Sequence, residues 1–131
     1  LDAQTTDNCL IPVTYRHTIK CWEALADGVL DAGVLVRLES ILRPEAQQSQ
    51  AWVARQMLAV KQGLKMMSDQ LGRQTFCVNN QFSLADIAVV CALDWLSFRN
   101  LPVNWRDEYS NLVALCERLT TRPSFKDTFP Q

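Results

Sequence analysis

Residues 82 to 93 constrain this chain more than any other stretch. Phe82-Ser83-Leu84-Ala85-Asp86-Ile87 reads as a helix start. Ser83 at the N-cap can accept the backbone N–H of Asp86, and the Asp86 carboxylate can reach back to the N–H of Ser83. This is a capping box with Asp in place of the more usual Glu or Gln. The same carboxylate suits the positive end of the helix dipole. Phe82 before the cap and Ile87 at the fourth helical position are placed for a hydrophobic staple. From Leu84 to Leu93 the chain is nearly continuous in apolar residues, a pattern that suits a helix hidden on most of its circumference. A helix over about Leu84 to Phe98 is therefore expected at the centre of the fold. Every neighbour needed for a cap is present, so Asp86 is read as structural rather than as a catalytic carboxylate.

The remaining segments supply the helices that surround it. A first helix is expected from about Val13 to Leu42, bounded by Pro12 and by Pro44, which disfavours the helical conformation at Arg43. Its apolar arc is Cys21, Trp22, Leu25, Ala26, Val29, Ala32, Leu35 and Val36, opposite Arg16, Lys20, Glu23, Asp27 and Asp31. Further along, the polar side turns apolar at Val34, Leu38 and Ile41, so this helix is expected to touch both its own core and something else. Gly28 and Gly33 inside it cost about 1 kcal/mol each relative to alanine, an expense with no return unless a neighbour packs very close. A second helix is expected from the Ser49 N-cap to Leu71, with Gly72 as its left-handed cap. Its stripe of Trp52, Val53, Met57, Val60, Leu64, Met67 and Leu71 is read as core. After a loop over 73–81 and the central helix, a second loop covers 100–109. A fourth helix covers about Ser110 to Thr121, and Pro123 opens a last turn anchored by Phe125. No strand is convincing. The class is all-α, a single-domain bundle of about four to five helices.

Composition narrows the function. Thirteen basic and fourteen acidic residues leave a net charge of −1, without the basic excess of a nucleic-acid surface. No apolar run approaches the roughly 20 residues of a membrane span, and Leu1 to Pro12 does not read as a secretory signal. The five cysteines are odd in number and widely spaced, with no CxxC pair. That fits neither a disulfide framework nor a zinc site, and points to a reducing cytoplasm. Cys21, Cys91 and Cys116 are expected to be small buried hydrophobes. His17, the single histidine, has no obvious Cys or Asp partner in sequence and is read as a surface or interface residue rather than a general base. Asp27 and Asp31 share a face at i, i+4, but no third oxygen ligand is evident, so no metal site is expected.

The segment Gln81-Phe-Ser-Leu-Ala-Asp-Ile-Ala88 is similar to the signature that opens the core helix in C-terminal domains of the glutathione transferase family. Trp22-Glu-Ala-Leu-Ala-Asp-Gly-Val-Leu-Asp-Ala32, followed by Arg43-Pro-Glu-Ala-Gln-Gln-Ser49, resembles the first helix of that domain and its exit in a bacterial subgroup. Arg122-Pro-Ser-Phe125 resembles the family's closing motif. These motifs stand in the family's order and span most of the chain. Leu1-Asp2 is similar to the end of the family's first domain. The resemblance thus implies residues 1–12 as the end of an interdomain linker and 13–131 as the C-terminal-type helical domain.

The resemblance also implies a function. In that family a thioredoxin-like domain binds glutathione as co-substrate and activates its thiol through a Ser, Cys or Tyr, and the thiolate attacks an electrophile. Nothing here matches that half, so the resemblance implies a thioredoxin-like domain missing from this chain, no catalytic residue in the chain, and no cofactor bound by it alone. What remains is one wall of a pocket for a small apolar electrophile, with Tyr15, Ile19, Trp22 and Ala26 as its candidates. For Trp22 and Ala26 the competing reading is simple core. Arg16, Lys20 and Asp27 are candidates for contact with glutathione or with a partner subunit, against a reading as a solvated face. A homodimer is implied for the intact protein, with Val34, Leu38 and Ile41 suited to the contact. Helical domains of the same type also serve as non-catalytic assembly modules in translation factors and aminoacyl-tRNA synthetases, which is the rival expectation.

Overall fold

The computed structural model describes residues 9–128. Its longest element is α1 (Arg16–Leu42), entered through a single 3-10 turn at Val13–Tyr15 after Pro12. Arg43, before Pro44, is extended and ends the helix, as the steric clash with the proline ring demands. A second 3-10 turn, Glu45–Gln47, leads to α2 (Gln50–Leu71), where the Ser49 side chain accepts the N–H of Trp52. Then follow α3 (Leu84–Phe98), the short α4 (Trp105–Glu108), α5 (Ser110–Thr120) and α6 (Pro123–Asp127), which carries Pro123 in its first turn. Among the described residues the only β-type pairing is an isolated bridge between Val78 and Gln81. The all-α expectation holds. The 100–109 segment differs from it by containing α4, whose Trp105 is buried and donates its indole N–H to Ser97 Oγ at 3.2 Å.

Helices α1 and α2 form an antiparallel hairpin. Helix α3 packs on α1, and α5 closes the bundle against α2 and α3. The core holds Leu64, Met67 and Leu71 of α2, Val89, Leu93 and Leu96 of α3, and Leu112, Leu115 and Leu119 of α5. Each such side chain contributes about 1.5–3 kcal/mol when removed from water. The α3 segment is hidden as expected, except along the flank that carries Ile87, Cys91 and Asp94.

Close helix contacts account for two glycines. A Cβ at Gly33 would stand 3.0 Å from Trp95 Cζ3 and 3.2 Å from side-chain atoms of Leu96 and Leu101, so this glycine lets α1 and α3 approach. A Cβ at Gly63 would fall 2.3 Å from Val29 Cγ2, making Gly63 the contact point of α1 with α2. Gly28 has nothing within 4 Å of that position, and no packing accounts for it.

Helix ends are closed by hydrogen bonds that sequence reading located only in part. Gly72 takes φ +53° with ψ −119°, a turn conformation open to glycine rather than the expected left-handed helical cap, and its N–H donates to Ser68 C=O. Asn111 completes this end, its Nδ2 donating to the carbonyls of Ser68 at 2.9 Å and Gly72 at 3.1 Å. Helix α3 ends in a Schellman motif with Asn100 at φ +51°. The N–H of Leu101 reaches Leu96 C=O, and that of Asn100 reaches Ser97 C=O. Where α1 meets α2, the buried Glu39 accepts the N–H of Ser49 at 2.8 Å and pairs with Arg43 at 3.2 Å.

Candidate functional site

Two surfaces carry the residues singled out by sequence. The first is a groove of about 830 Å³ bounded by Leu10, the open flank of α3 at Ile87 and Cys91, and Arg122 and Phe125 at α6. Leu84 donates its N–H to Leu10 C=O at 3.0 Å, so the chain ahead of α1 runs along the start of α3. Phe82 lines the same groove, with Arg122 stacked 4.2 Å above its ring. Phe82 also meets Phe76 edge-on at 6.0 Å, and Arg118 lies 5.7 Å from the Phe76 ring while donating to Thr75 C=O. The result is an apolar floor with a guanidinium at its rim, chemistry that accepts an apolar surface and offers no acid–base pair. The Cys91 thiol there is pushed up by burial and by the charge of Asp94.

The capping residues define where this groove starts. Ser83 and Asp86 form the reciprocal capping box. The fully buried Asp86 carboxylate accepts the Ser83 N–H at 2.8 Å and the Ser83 hydroxyl at 3.1 Å. Its other oxygen accepts the Cys77 N–H at 2.7 Å. With both oxygens occupied and no exposure, Asp86 is a structural carboxylate. Phe82 and Ile87, spaced for the staple, are half-buried on the groove side.

The second surface is the entrance of α1. Ile19, Trp22 and Ala26 are 1%, 3% and 0% exposed and belong to the core cluster, whereas Tyr15 is half-buried against it. Of these four candidates only Tyr15 therefore reaches the surface, with the other three packed in the core behind it. Arg16, Lys20 and Asp27 are all exposed. Lys20 pairs with Glu23, while Arg16 and Asp27 have no ion-pair partner among the described residues.

Several expectations are corrected on these surfaces. Cys21 and Cys91 are exposed rather than buried, because each lies at the margin of its helix's apolar arc; of the three cysteines expected inside, Cys116 is buried. Leu35 at another margin is exposed too. His17 does have a cysteine partner: its Nε2 is 3.7 Å from Cys21 Sγ, one helical turn on. The i, i+4 spacing was visible in sequence. No group of three or more His, Cys, Asp or Glu side chains converges to hold a metal among the described residues, and no helix there is long and apolar enough to cross a membrane. Val34 is half-buried, while Leu38 and Ile41 stand open at the far end of α1 beside Leu42 and Trp52.

Comparison with known proteins places this geometry. The sequence model for "Glutathione S-transferase, C-terminal domain" matches residues 50–118, just over half of the chain. The uncharacterized GST-like protein YibF of Escherichia coli (strain K12) is 39% identical over 108 residues, covering 82% of this chain and 52% of that protein. Elongation factor 1-gamma of Danio rerio is 37% identical over 67 residues, 51% of this chain and 15% of that one. Among solved structures, a glutathione S-transferase of Methylobacillus flagellatus KT, crystallised with glutathione bound, superposes with a TM-score of 0.93 at 42% identity. That match covers 99% of this chain and 65% of the other. The chain thus spans about half of its Escherichia coli relative and under two thirds of the Methylobacillus enzyme. The capping box, the helix order and these matches agree, and the chain belongs to the glutathione S-transferase C-terminal domain family.

Proposed function

We propose that this chain is the C-terminal domain of a glutathione transferase that joins glutathione, as co-substrate, to a small apolar electrophile. The observation that carries the reading is the superposition of 99% of the chain, at 42% identity, on a transferase crystallised with glutathione. In this reading residues 1–12 are the end of an interdomain linker and 13–131 the helical domain. A preceding thioredoxin-like domain holds glutathione and supplies the activating side chain, so the chain by itself is inactive and binds no cofactor. Tyr15 touches the electrophile, and Ile19, Trp22 and Ala26 fix its position from behind. Arg16, Lys20 and Asp27 face the carboxylates and ammonium of glutathione or the second subunit. The intact protein is a dimer, with the open apolar edge at Leu38 and Ile41 as this domain's share of the contact. Five free cysteines suit a reducing cytoplasm.

The test is conjugation of glutathione to 1-chloro-2,4-dinitrobenzene by the product of the whole reading frame, beside the 131-residue chain alone. Activity in the former and none in the latter supports the reading. Coding sequence without a thioredoxin-like segment would sink it. A second reading, a non-catalytic assembly module, draws on the 67-residue likeness to elongation factor 1-gamma. It expects an intact protein without conjugation activity that co-purifies stoichiometrically with another protein.

A further inference from the structure

We propose that the groove along the open flank of α3 is the seat of the domain that precedes this one in the intact protein, and that this domain sets a carboxylate on Arg122 there. The inference rests on the transferase reading, which places a domain ahead of Cys9. Its first support is where the chain enters. Cys9, the first described residue, lines the groove, and the carbonyl of Leu10 next to it accepts the N–H of Leu84 at 3.0 Å. Whatever precedes Cys9 is therefore attached at the edge of the groove. Residues 1–8 can reach at most about 30 Å even when fully extended. A domain on so short a tether meets this surface at a high effective concentration, in the millimolar range.

The second support is length. The match that covers 99% of this chain takes up 65% of the transferase of known structure, and the family model that the chain fits is that of a C-terminal domain. The part of that transferase outside the match is thus expected ahead of the helical domain, on the side of Cys9.

The third support is the chemistry of the groove. Helix α3 is hidden on most of its circumference, and Ile87 and Cys91 interrupt that cover on the groove side. Phe82 and Phe125, both half-buried, extend the apolar floor. Such a floor gains free energy when water is removed from it. Arg122 dictates what else the occupant must carry. Its guanidinium stacks 4.2 Å above the Phe82 ring and has no ion-pair partner among the described residues. Covering the floor strips water from that cation, which is costly unless an anion takes its place. A carboxylate of the docked domain does so, in the bidentate geometry that a guanidinium favours. Neither Leu38 nor Ile41 lines the groove, so this contact is separable from the one assigned to the second subunit.

Cys91 reports on the groove, because its side chain is exposed in this chain and lines the proposed seat. Its alkylation by N-ethylmaleimide is followed by peptide mass spectrometry in the product of the whole reading frame and in the 131-residue chain. Docking should slow Cys91 by at least about tenfold in the intact protein. Arg122→Glu, which sets like charges against each other, should restore at least about half of the lost rate, whereas Arg122→Lys should keep the protection. Arg122 is exposed and touches only the Phe82 ring in this respect, so an unchanged melt of Arg122→Glu in the 131-residue chain shows that the domain itself is intact. An intact protein that conjugates glutathione yet leaves Cys91 as reactive as in the 131-residue chain overturns the docking while the transferase reading stands. Full protection in Arg122→Glu likewise overturns the proposal. Protection that appears in the 131-residue chain as its concentration rises would give the groove to a second copy instead, and a reading frame without a preceding domain would fell both readings.

Discussion

The backbone N–H of Cys77 donates to Asp86 Oδ1 at 2.7 Å, joining the loop before α3 to the first turn of that helix. The second carboxylate oxygen caps Ser83 at 2.8 Å. One buried side chain thus holds the loop, the cap and the central helix together. Asp86→Ala would strand the Cys77 and Ser83 N–H groups away from water. The expected loss is about 2–4 kcal/mol, read from urea unfolding at constant m-value. A loss below that of an ordinary exposed cap would mean that water reaches both donors.

The three glycines in α1 and α2 should respond differently to alanine. Gly63→Ala forces a Cβ into Val29 Cγ2 and is expected to cost about 1–3 kcal/mol. Gly33→Ala meets Trp95, Leu96 and Leu101 at longer distances and should cost less than Gly63→Ala. Gly28→Ala meets nothing and should gain up to about 1 kcal/mol from helix propensity. Thermal melts of the three variants check the order, and a destabilised Gly28→Ala would reveal a contact outside this chain.

Asp94 makes stability depend on pH. Burial raises its carboxyl above the ordinary 3.8, with Arg106 opposing from 3.9 Å. A raised carboxyl pKa means that the fold favours the protonated form. Its contribution is fully present below pH 3.8 and is lost as pH rises through the folded value. Asp94→Asn is therefore expected to melt higher than the parent at neutral pH and to converge with it in acid. A lower melt at neutral pH would show that the Arg106 pair outweighs the desolvation.

The open apolar edge supplies a test of the proposed dimer. Leu38 and Ile41 are 38% and 56% exposed, so replacing both by glutamate leaves the core untouched. In the intact protein the pair of substitutions should weaken self-association by at least about 100-fold, since like charges would meet across a desolvated contact. Sedimentation velocity over a concentration series reads the change. An undisturbed dimer would place the contact elsewhere on the chain.

The central helix was legible from residues 82 to 98 alone, because the capping box and the apolar run act within a few residues of one another. The ends of α1 and α2, set by Pro44 and Ser49, were legible for the same reason, and so was the all-α class. Tertiary structure decided the rest. Cys21 and Cys91 have the same apolar helical neighbourhoods as Cys116, yet only Cys116 is covered, because coverage depends on which remote helix arrives at that face. Ile19, Trp22 and Ala26 share a stripe with Tyr15, but α2 and α3 fill the space over the first three. Gly63 carried no sequence signal at all, since its reason is a methyl group on α1. Local periodicity and caps act through bonds a turn apart and can be read from the chain. Burial, close approach and the second oxygen of Asp86 require partners brought together only when the helices pack.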